Sequence, residues 1–164
     1  MLVSMALLDV LFPGLNIGRY EGLPVWEDGN RPWEILSSGQ SGIMSQILGL
    51  EDSVDGVVIH PTAEIGDFVK IEGPCYIGKN CKIRHSAFLR KGSWICEDSV
   101  VGHSSEIKNS ILLPGSKAPH FNYVGDSILG FGVNLGAGTK LSNVRNDRGL
   151  VKVTMRDGKL LVII

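Results

Sequence analysis

The sequence predicts an all-β fold: a parallel β-solenoid built on a six-residue repeat, preceded by a short α-helical extension and followed by a β-hairpin. Two observations carry this. From Ile59 to Leu113 a large aliphatic residue returns at every sixth position, as Ile59, Ile65, Ile71, Ile77, Ile83, Leu89, Ile95, Val101, Ile107 and Leu113. Apolar residues in a helix recur at spacings of three and four, and in a half-buried strand at two, so a period of six needs another architecture. Four residues after each ladder member stands a mostly small one: Ala63, Val69, Cys75, Cys81, Ala87, Ser93, Ser99 and Ser105. Self-similarity at a fixed period marks a stacked solenoid, because one repeat cannot bury its inward row alone.

The hexads resemble those of left-handed parallel β-helices, in which each hexad supplies one flat face and three hexads close one triangular coil. The ladder residue then fills the prism and the small residue lets the backbone turn the corner. Residues eighteen apart stack on successive coils, about 4.8 Å from one another, so outward side chains can be read as columns.

Residues 1–57 read as a helical N-terminal extension. Met1 to Phe12 predicts a short helix, apolar all round and therefore in need of cover, which Pro13-Gly14 ends. A loop rich in Gly, Pro and acids contains Trp26. Arg31-Pro32-Trp33 then opens a second helical stretch, with proline at its start. Its apolar face is Ile35, Leu36, Ile43, Ile47 and Leu48, and Gly39 and Gly42 break it in two. Asp52 to Gly56 is a polar linker.

Residues 58–150 read as the β-helix. Val58, Tyr76, Trp94 and Leu112 form an outward apolar column that needs cover, by the N-terminal helices or a sister subunit in preference to a ligand. Arg90 and Lys108 form a second column, each one position after a ladder residue. Like charges one coil apart repel, so the column is either a phosphate site or a solvated basic face. His85 and His103 form a third, read as surface imidazoles rather than a metal site. After Leu113 the phase breaks over Pro114 to Asn122 and resumes out of step at Leu129, Leu135 and Leu141, which predicts an inserted loop projecting from the stack. Residues 151–164 read as a hairpin turning at Asp157-Gly158. Its apolar last strand leaves an unprotected edge, the expected start of a further C-terminal part.

Composition narrows the function classes. The 164 residues carry a net charge of −1, which speaks against a general nucleic-acid or membrane-surface binder. Lys and Arg against Asp and Glu number 2 to 8 over residues 1–57 but 7 to 3 over residues 79–117, so the basic middle suits a small anionic ligand. Three cysteines without metal-like spacing indicate neither a disulfide framework nor a zinc site. Cys75 and Cys81 occupy the small inward slot and read as inert core residues. The apolar N-terminus has no basic flank and is too short to span a bilayer, so a cytoplasmic protein is expected.

Chemistry enters with GSKAPHFNYVGDSILGFGVNLGAGTKLSN, Gly115 to Asn143, together with FLRKG around Arg90 and EIKNS around Lys108. This combination resembles the acetyltransferase domain of the bifunctional glucosamine-1-phosphate acetyltransferase and N-acetylglucosamine-1-phosphate uridylyltransferase. It is similar also to the archaeal-type sugar-1-phosphate nucleotidylyltransferases with a C-terminal β-helix. The resemblance covers about residues 58–150. It implies acetyl-CoA-dependent N-acetylation of an amino-sugar 1-phosphate, in the biosynthesis of UDP-N-acetylglucosamine. His120 would be the general base that takes a proton from the sugar amine, a task suited to a side chain titrating near neutrality. Arg90, Lys108 and Tyr123 would bind the sugar phosphate, which decides between the two readings of the basic column. Asn134 and Asn143 would lie at the sugar and acetyl end, and the Ala137 backbone where the thioester is held. Acetyl-CoA is the implied co-substrate, without a metal, and the implied assembly is a homotrimer with sites between subunits.

Three departures qualify the resemblance. Residues 1–57 are too few for a nucleotidylyltransferase domain and lack its glycine-rich loop, so uridylyl transfer is not expected. Val144 stands where bacterial relatives have an aromatic residue. The further C-terminal coils that carry much of the family's coenzyme A site are missing, so a fragment or truncated relative is expected. The alternative is therefore a non-catalytic module that binds sugar phosphate or nucleotide sugar. A zinc-dependent hydratase such as the carbonic anhydrases of this fold is disfavoured, because only His60, His85, His103 and His120 could serve.

Overall fold

The computed structural model describes residues 2–15, 20–28, 30–142, 144–149, 151–154 and 160–163. Its body is a triangular stack of parallel coils. The first coil comprises β1 (Val57–Ile59), β2 (Glu64–Ile65) and β3 (Lys70–Ile71); the second, β4 (Cys75–Ile77), β5 (Lys82–Ile83) and β6 (Phe88–Leu89). The third has β7 (Ser93–Ile95), β8 (Val100–His103) and β9 (Glu106–Lys108); the fourth, β10 (Ser110–Leu112), β11 (Lys117–His120) and β12 (Tyr123–Gly125). A fifth follows with β13 (Ile128–Leu129) and β14 (Lys140–Leu141). The first face is β1-β4-β7-β10-β13, the second β2-β5-β8-β11 and the third β3-β6-β9-β12-β14.

Strands of two to four residues are stable here because each pairs with the coils above and below. His60 N–H donates to Ile77 O, Gly78 N–H to Ile95 O and Cys96 N–H to Leu112 O, at 2.8, 2.8 and 2.9 Å. The ladder residues from Ile77 to Ile107 and the small residues from Cys75 onward are buried, forming the prism interior as expected. The serines in the small row add a vertical seam. The hydroxyls of Ser99 and Ser105 donate to Leu113 O and Ala118 O on the next coil, while those of Ser93 and Ser110 bond Arg90 O and Lys108 O at 2.6 and 2.7 Å and also lie within reach of Ile107 O and Val124 O. Ile59 and Ile65 are 42% and 41% exposed, since no coil stacks beneath the first.

The break in phase comes earlier than the sequence reading put it, and it is a contraction rather than an insertion. Cys75 pairs with Ser93, eighteen residues on, but Ser93 pairs with Ser110, only seventeen on. The corner Arg90-Lys91-Gly92-Ser93 becomes Lys108-Asn109-Ser110, one residue shorter, with Asn109 in the left-handed region at φ 44°. A second contraction places Asp126 there at φ 45°. Three expectations are corrected. Leu112, not Leu113, fills the prism after Ile107. Ile111, not Leu112, continues the outward column of Val58, Tyr76 and Trp94. Pro114 to Asn122 projects no loop, because β11 lies in register on β8. Leu129, Leu135 and Leu141 do return to the interior.

The outward apolar column is covered by the chain's own N-terminal extension. Helix α1 (Leu2–Leu11), a 3₁₀ turn at Pro32–Leu36 and α2 (Ile43–Leu48) form it, with the break at Gly39 to Gly42 where expected. Ile35, Ile43 and Ile47 pack with Trp94, Cys96, Ile111 and Leu113 into a second core. Trp94 Nε1 donates to Gly22 O at 2.9 Å, and Asn109 Nδ2 to Leu36 O at 2.9 Å. α1 is not covered all round, since Val10 and Leu11 are exposed. The hairpin is present as β15 (Val151–Thr154) against β16 (Leu160–Ile163), antiparallel; its turn at Asp157-Gly158 lies outside the described residues.

Candidate functional site

The residues singled out from sequence fall into two groups on adjacent faces. On the third face, outward positions form a grid, because alternate residues of a strand share a side. Phe88, Glu106 and Tyr123 are register partners in one column. Arg90, Lys108 and Gly125 stand two residues further along their strands, with Lys108 and Gly125 paired. Arg90 Nη1 meets Glu106 Oε1 at 2.9 Å, and Lys108 Nζ meets Asp126 Oδ2 at 3.4 Å. The Glu106 hydrogen bond raises the Arg90 pKa above its ordinary value. The anion that the stacked cations require is thus supplied by the chain itself. These pairs are 30–39% exposed, so they are screened by solvent.

Tyr123 leans along β12 over Gly125, where an added Cβ would stand 2.7 Å from the Tyr123 hydroxyl. Glycine at 125 therefore lets the phenol lie toward the Lys108 position. Asp126 is held from its other side by Asn109 Nδ2 at 2.7 Å, and the same amide nitrogen binds Leu36 O. The extension is in this way tied to the basic column.

On the second face, His120 ends β11 and its side chain is exposed. It pairs in register with His103, seventeen residues back, and so joins a column that the sequence reading limited to His85 and His103. The His85 and His103 rings stack at 5.5 Å, and His103 meets His120 edge-on at 5.8 Å. Asn134 is bridged to Lys117 on the coil below and is exposed, as are Lys117 itself and Ala137. Gly138 N–H donates to His120 O at 3.0 Å, so Ala137 lies directly above His120. Asn143 lies outside the described residues.

The two groups approach only through Tyr123: His120 closes β11 and Tyr123 opens β12 three residues later, while Arg90 and Lys108 stand toward the far end of the third face. Phe121 occupies that corner at φ 37°, half-exposed, with its ring 5.9 Å from His103. Sequence reasoning missed Glu106, Asp126, Asn109 and Asn122. The last carried a signal, for Asn122 is an oversized polar residue in the small row. Among the described residues, no group of three or more His, Cys, Asp or Glu could hold a metal ion, and no helix is long and apolar enough to cross a membrane.

A triangular solenoid of hexads defines the class: a hexapeptide-repeat β-solenoid, here with an exposed histidine on one face and a cationic column on the next. More particularly, the model of the GMPPB C-terminal domain matches residues 53–143, and the chain belongs to that family. It is 40% identical over 154 residues to the bifunctional sugar-1-phosphate nucleotidylyltransferase/acetyltransferase of Sulfurisphaera tokodaii, covering 89% of this chain and 38% of that protein. It is 36% identical over 163 residues to the bifunctional protein GlmU of Methanococcus maripaludis strain C5, covering 93% and 40%. GlmU of Nitrosomonas eutropha shares 39% over 89 residues, covering 54% of this chain and 18% of that protein. The chain thus spans about two-fifths of the length of the first two relatives.

Proposed function

We propose that this chain carries the acetyl-transfer half of such a protein and N-acetylates an amino-sugar 1-phosphate of the glucosamine-1-phosphate type, with acetyl-CoA as donor. His120 takes a proton from the sugar amine as its nitrogen attacks the thioester carbonyl; the C–S bond then breaks and the coenzyme A thiolate leaves, taking up a proton. Arg90 and Lys108 bind the phosphate with Tyr123 as hydrogen-bond donor, and the dianion displaces Glu106 and Asp126. Asn134 and Asn143 meet the sugar and acetyl end, and the Ala137 backbone lies beside the thioester. The observation that carries the reading is an exposed His120 at the end of β11, followed three residues later by Tyr123, which opens the face that carries Arg90 and Lys108. Because the histidine and the cations lie on different faces, a neighbouring subunit of a homotrimer would close the site. The protein works in the cytoplasm, without a metal in the acetyl-transfer step.

The test is release of free coenzyme A with glucosamine-1-phosphate as acceptor. His120→Ala should lose activity by about 10²- to 10⁴-fold, the usual range for a general base. Turnover that survives the change would sink the assignment. Lys108→Ala should raise KM for the sugar phosphate with little change in kcat.

A second reading, a module that binds sugar phosphate without acetylating it, has one observation behind it. Arg90 and Lys108 lie on the third face, apart from His120 on the second, so the cationic column is complete without the histidine. That reading expects no turnover together with a rise in melting temperature on adding the sugar phosphate.

A further inference from the structure

The inward small row that follows the second face runs Val69, Ala87, Ser105, Asn122 and Thr139, one residue per coil. Alanine and serine suit this slot because it lies against the backbone of a corner. Asn122 breaks the pattern: it is 2% exposed and places a full carboxamide where the coil below has a hydroxyl. A buried amide must find partners, and the partners it finds are specific. Its Oδ1 accepts from His120 N–H at 2.9 Å. Its Nδ2 donates to Gly136 O on the next coil at 2.8 Å and lies 3.5 Å from Thr139 O. Its own N–H donates to Ser105 Oγ at 3.1 Å, which anchors it to the third coil.

These bonds close a ring through the site. Asn122 holds the N–H of His120, and Gly138 N–H holds the carbonyl of the same residue at 3.0 Å. Ala137 sits between Gly136, gripped by Asn122, and Gly138, gripped by His120. The backbone of the exposed histidine is therefore linked twice to the segment above it, once through the buried Asn122 side chain to Gly136 O and once by the direct Gly138 N–H bond to its carbonyl. A serine, with a single hydroxyl, spans only one of these gaps.

We propose that Asn122 is a positioning residue for acetyl transfer, fixing His120 against the Gly136-Ala137-Gly138 backbone across two coils. The inference rests on the acetyl-transfer reading above and adds to it the residue that sets the distance between base and thioester site. A misplacement on the order of 1 Å costs such a reaction about 10²-fold, so the effect falls on kcat. Phosphate binding is spared, since Arg90, Lys108 and Tyr123 project from the third face without touching the Asn122 amide.

The experiment compares Asn122→Ser, the residue the row uses one coil earlier, with Ser99→Ala, a buried seam residue far from His120. Asn122→Thr, after Thr139 of the same row, replaces the serine variant if that one does not fold. The expected result is a fall in kcat of about 10- to 100-fold for the Asn122 variant. Its KM for glucosamine-1-phosphate should stay within about twofold. Ser99→Ala should lower the melting temperature and keep kcat. Hydrogen exchange gives a readout that needs no turnover: the His120 and Gly138 amides should lose protection in the Asn122 variant while those of Val101 and Leu89 keep theirs. An Asn122 variant with a lowered melting temperature but normal kcat, or a uniform loss of protection, would overturn the inference. If His120→Ala is fully active the acetyl-transfer reading falls first; if it is inactive while Asn122→Ser is not, only the positioning role falls.

Discussion

At the scale of single residues, two sites show how the narrow prism constrains chemistry. Cys75, Cys81 and Cys96 are fully buried, and burial pushes each thiol pKa up, that of Cys81 to about 11 against backbone hydrogen bonds from Ser99 and Gly78. The folded state thus keeps the neutral thiols, whereas the unfolded chain ionises them from about pH 9. Their contribution is fully present below pH 9 and is lost as pH rises through the folded values, by about 1.4 kcal/mol per pH unit per thiol. Urea midpoints should fall between pH 8 and 10.5, and Cys81→Ala should flatten the decline; an unchanged slope would refute this. Gly102 is the second case. An added Cβ there would stand 1.6 Å from Pro119 O, backbone that cannot retreat without lifting β11 off β8. Gly102→Ala should cost about 3 kcal/mol or more in urea unfolding, whereas Gly39→Ala, with its nearest neighbour 3.9 Å away, should change stability by less than about 0.5 kcal/mol.

Among the elements, the N-terminal extension and the first face depend on each other, for Trp94 and Ile111 would otherwise be an apolar wall in water. Ile47 is fully buried in that seam. Ile47→Ala should cost about 2–5 kcal/mol and expose residues 20–50 to limited proteolysis while the solenoid resists. Proteolysis that attacks both alike would count against separate docking. The six-residue ladder made the coil legible because its inward residues are large and aliphatic without exception as far as Ile107. It misled beyond that point because a contraction of one residue leaves no mark in composition: Ile111, Leu112 and Leu113 are consecutive and all apolar, so any of the three fits the ladder by eye. Pairing decides among them, and only backbone register shows it. The same slip hid His120 from the histidine column and left Asn122 unremarked. The basic column was legible because both its members precede the first contraction, while its carboxylate partners depend on side-chain reach. Inserting a glycine after Asn109 would restore the sixfold spacing on paper. It should nonetheless destabilise the protein by about 2 kcal/mol, by pulling Asn109 from Leu36 O and Asp126.

For the whole molecule, a stack in which each coil touches only its neighbours predicts a gradient of stability rather than one value. Interior coils gain two interfaces and terminal coils one, so opening should proceed from the ends. The first coil is the weaker end by its own burial, with Ile59 and Ile65 both exposed by about two-fifths. The third coil is the strongest candidate for the last to open. Its inward residues Ser93, Ile95, Ser99, Val101, Ser105 and Ile107 are all buried, its Ser99 and Ser105 are bonded to the coil above, and Trp94 is clamped beneath the extension. Native-state hydrogen exchange in low denaturant should therefore rank the amides of β7, β8 and β9 slowest and those of β2 and β3 fastest, with β1 intermediate because α2 packs against it. A single exchange rate for all coils would mean that the prism unfolds as one unit and that the serine seams couple it end to end. The gradient also bears on the candidate site: His120 and Tyr123 lie one coil above the most protected layer, Lys108 lies within it and Arg90 one coil below, so the layer can hold all four rigidly.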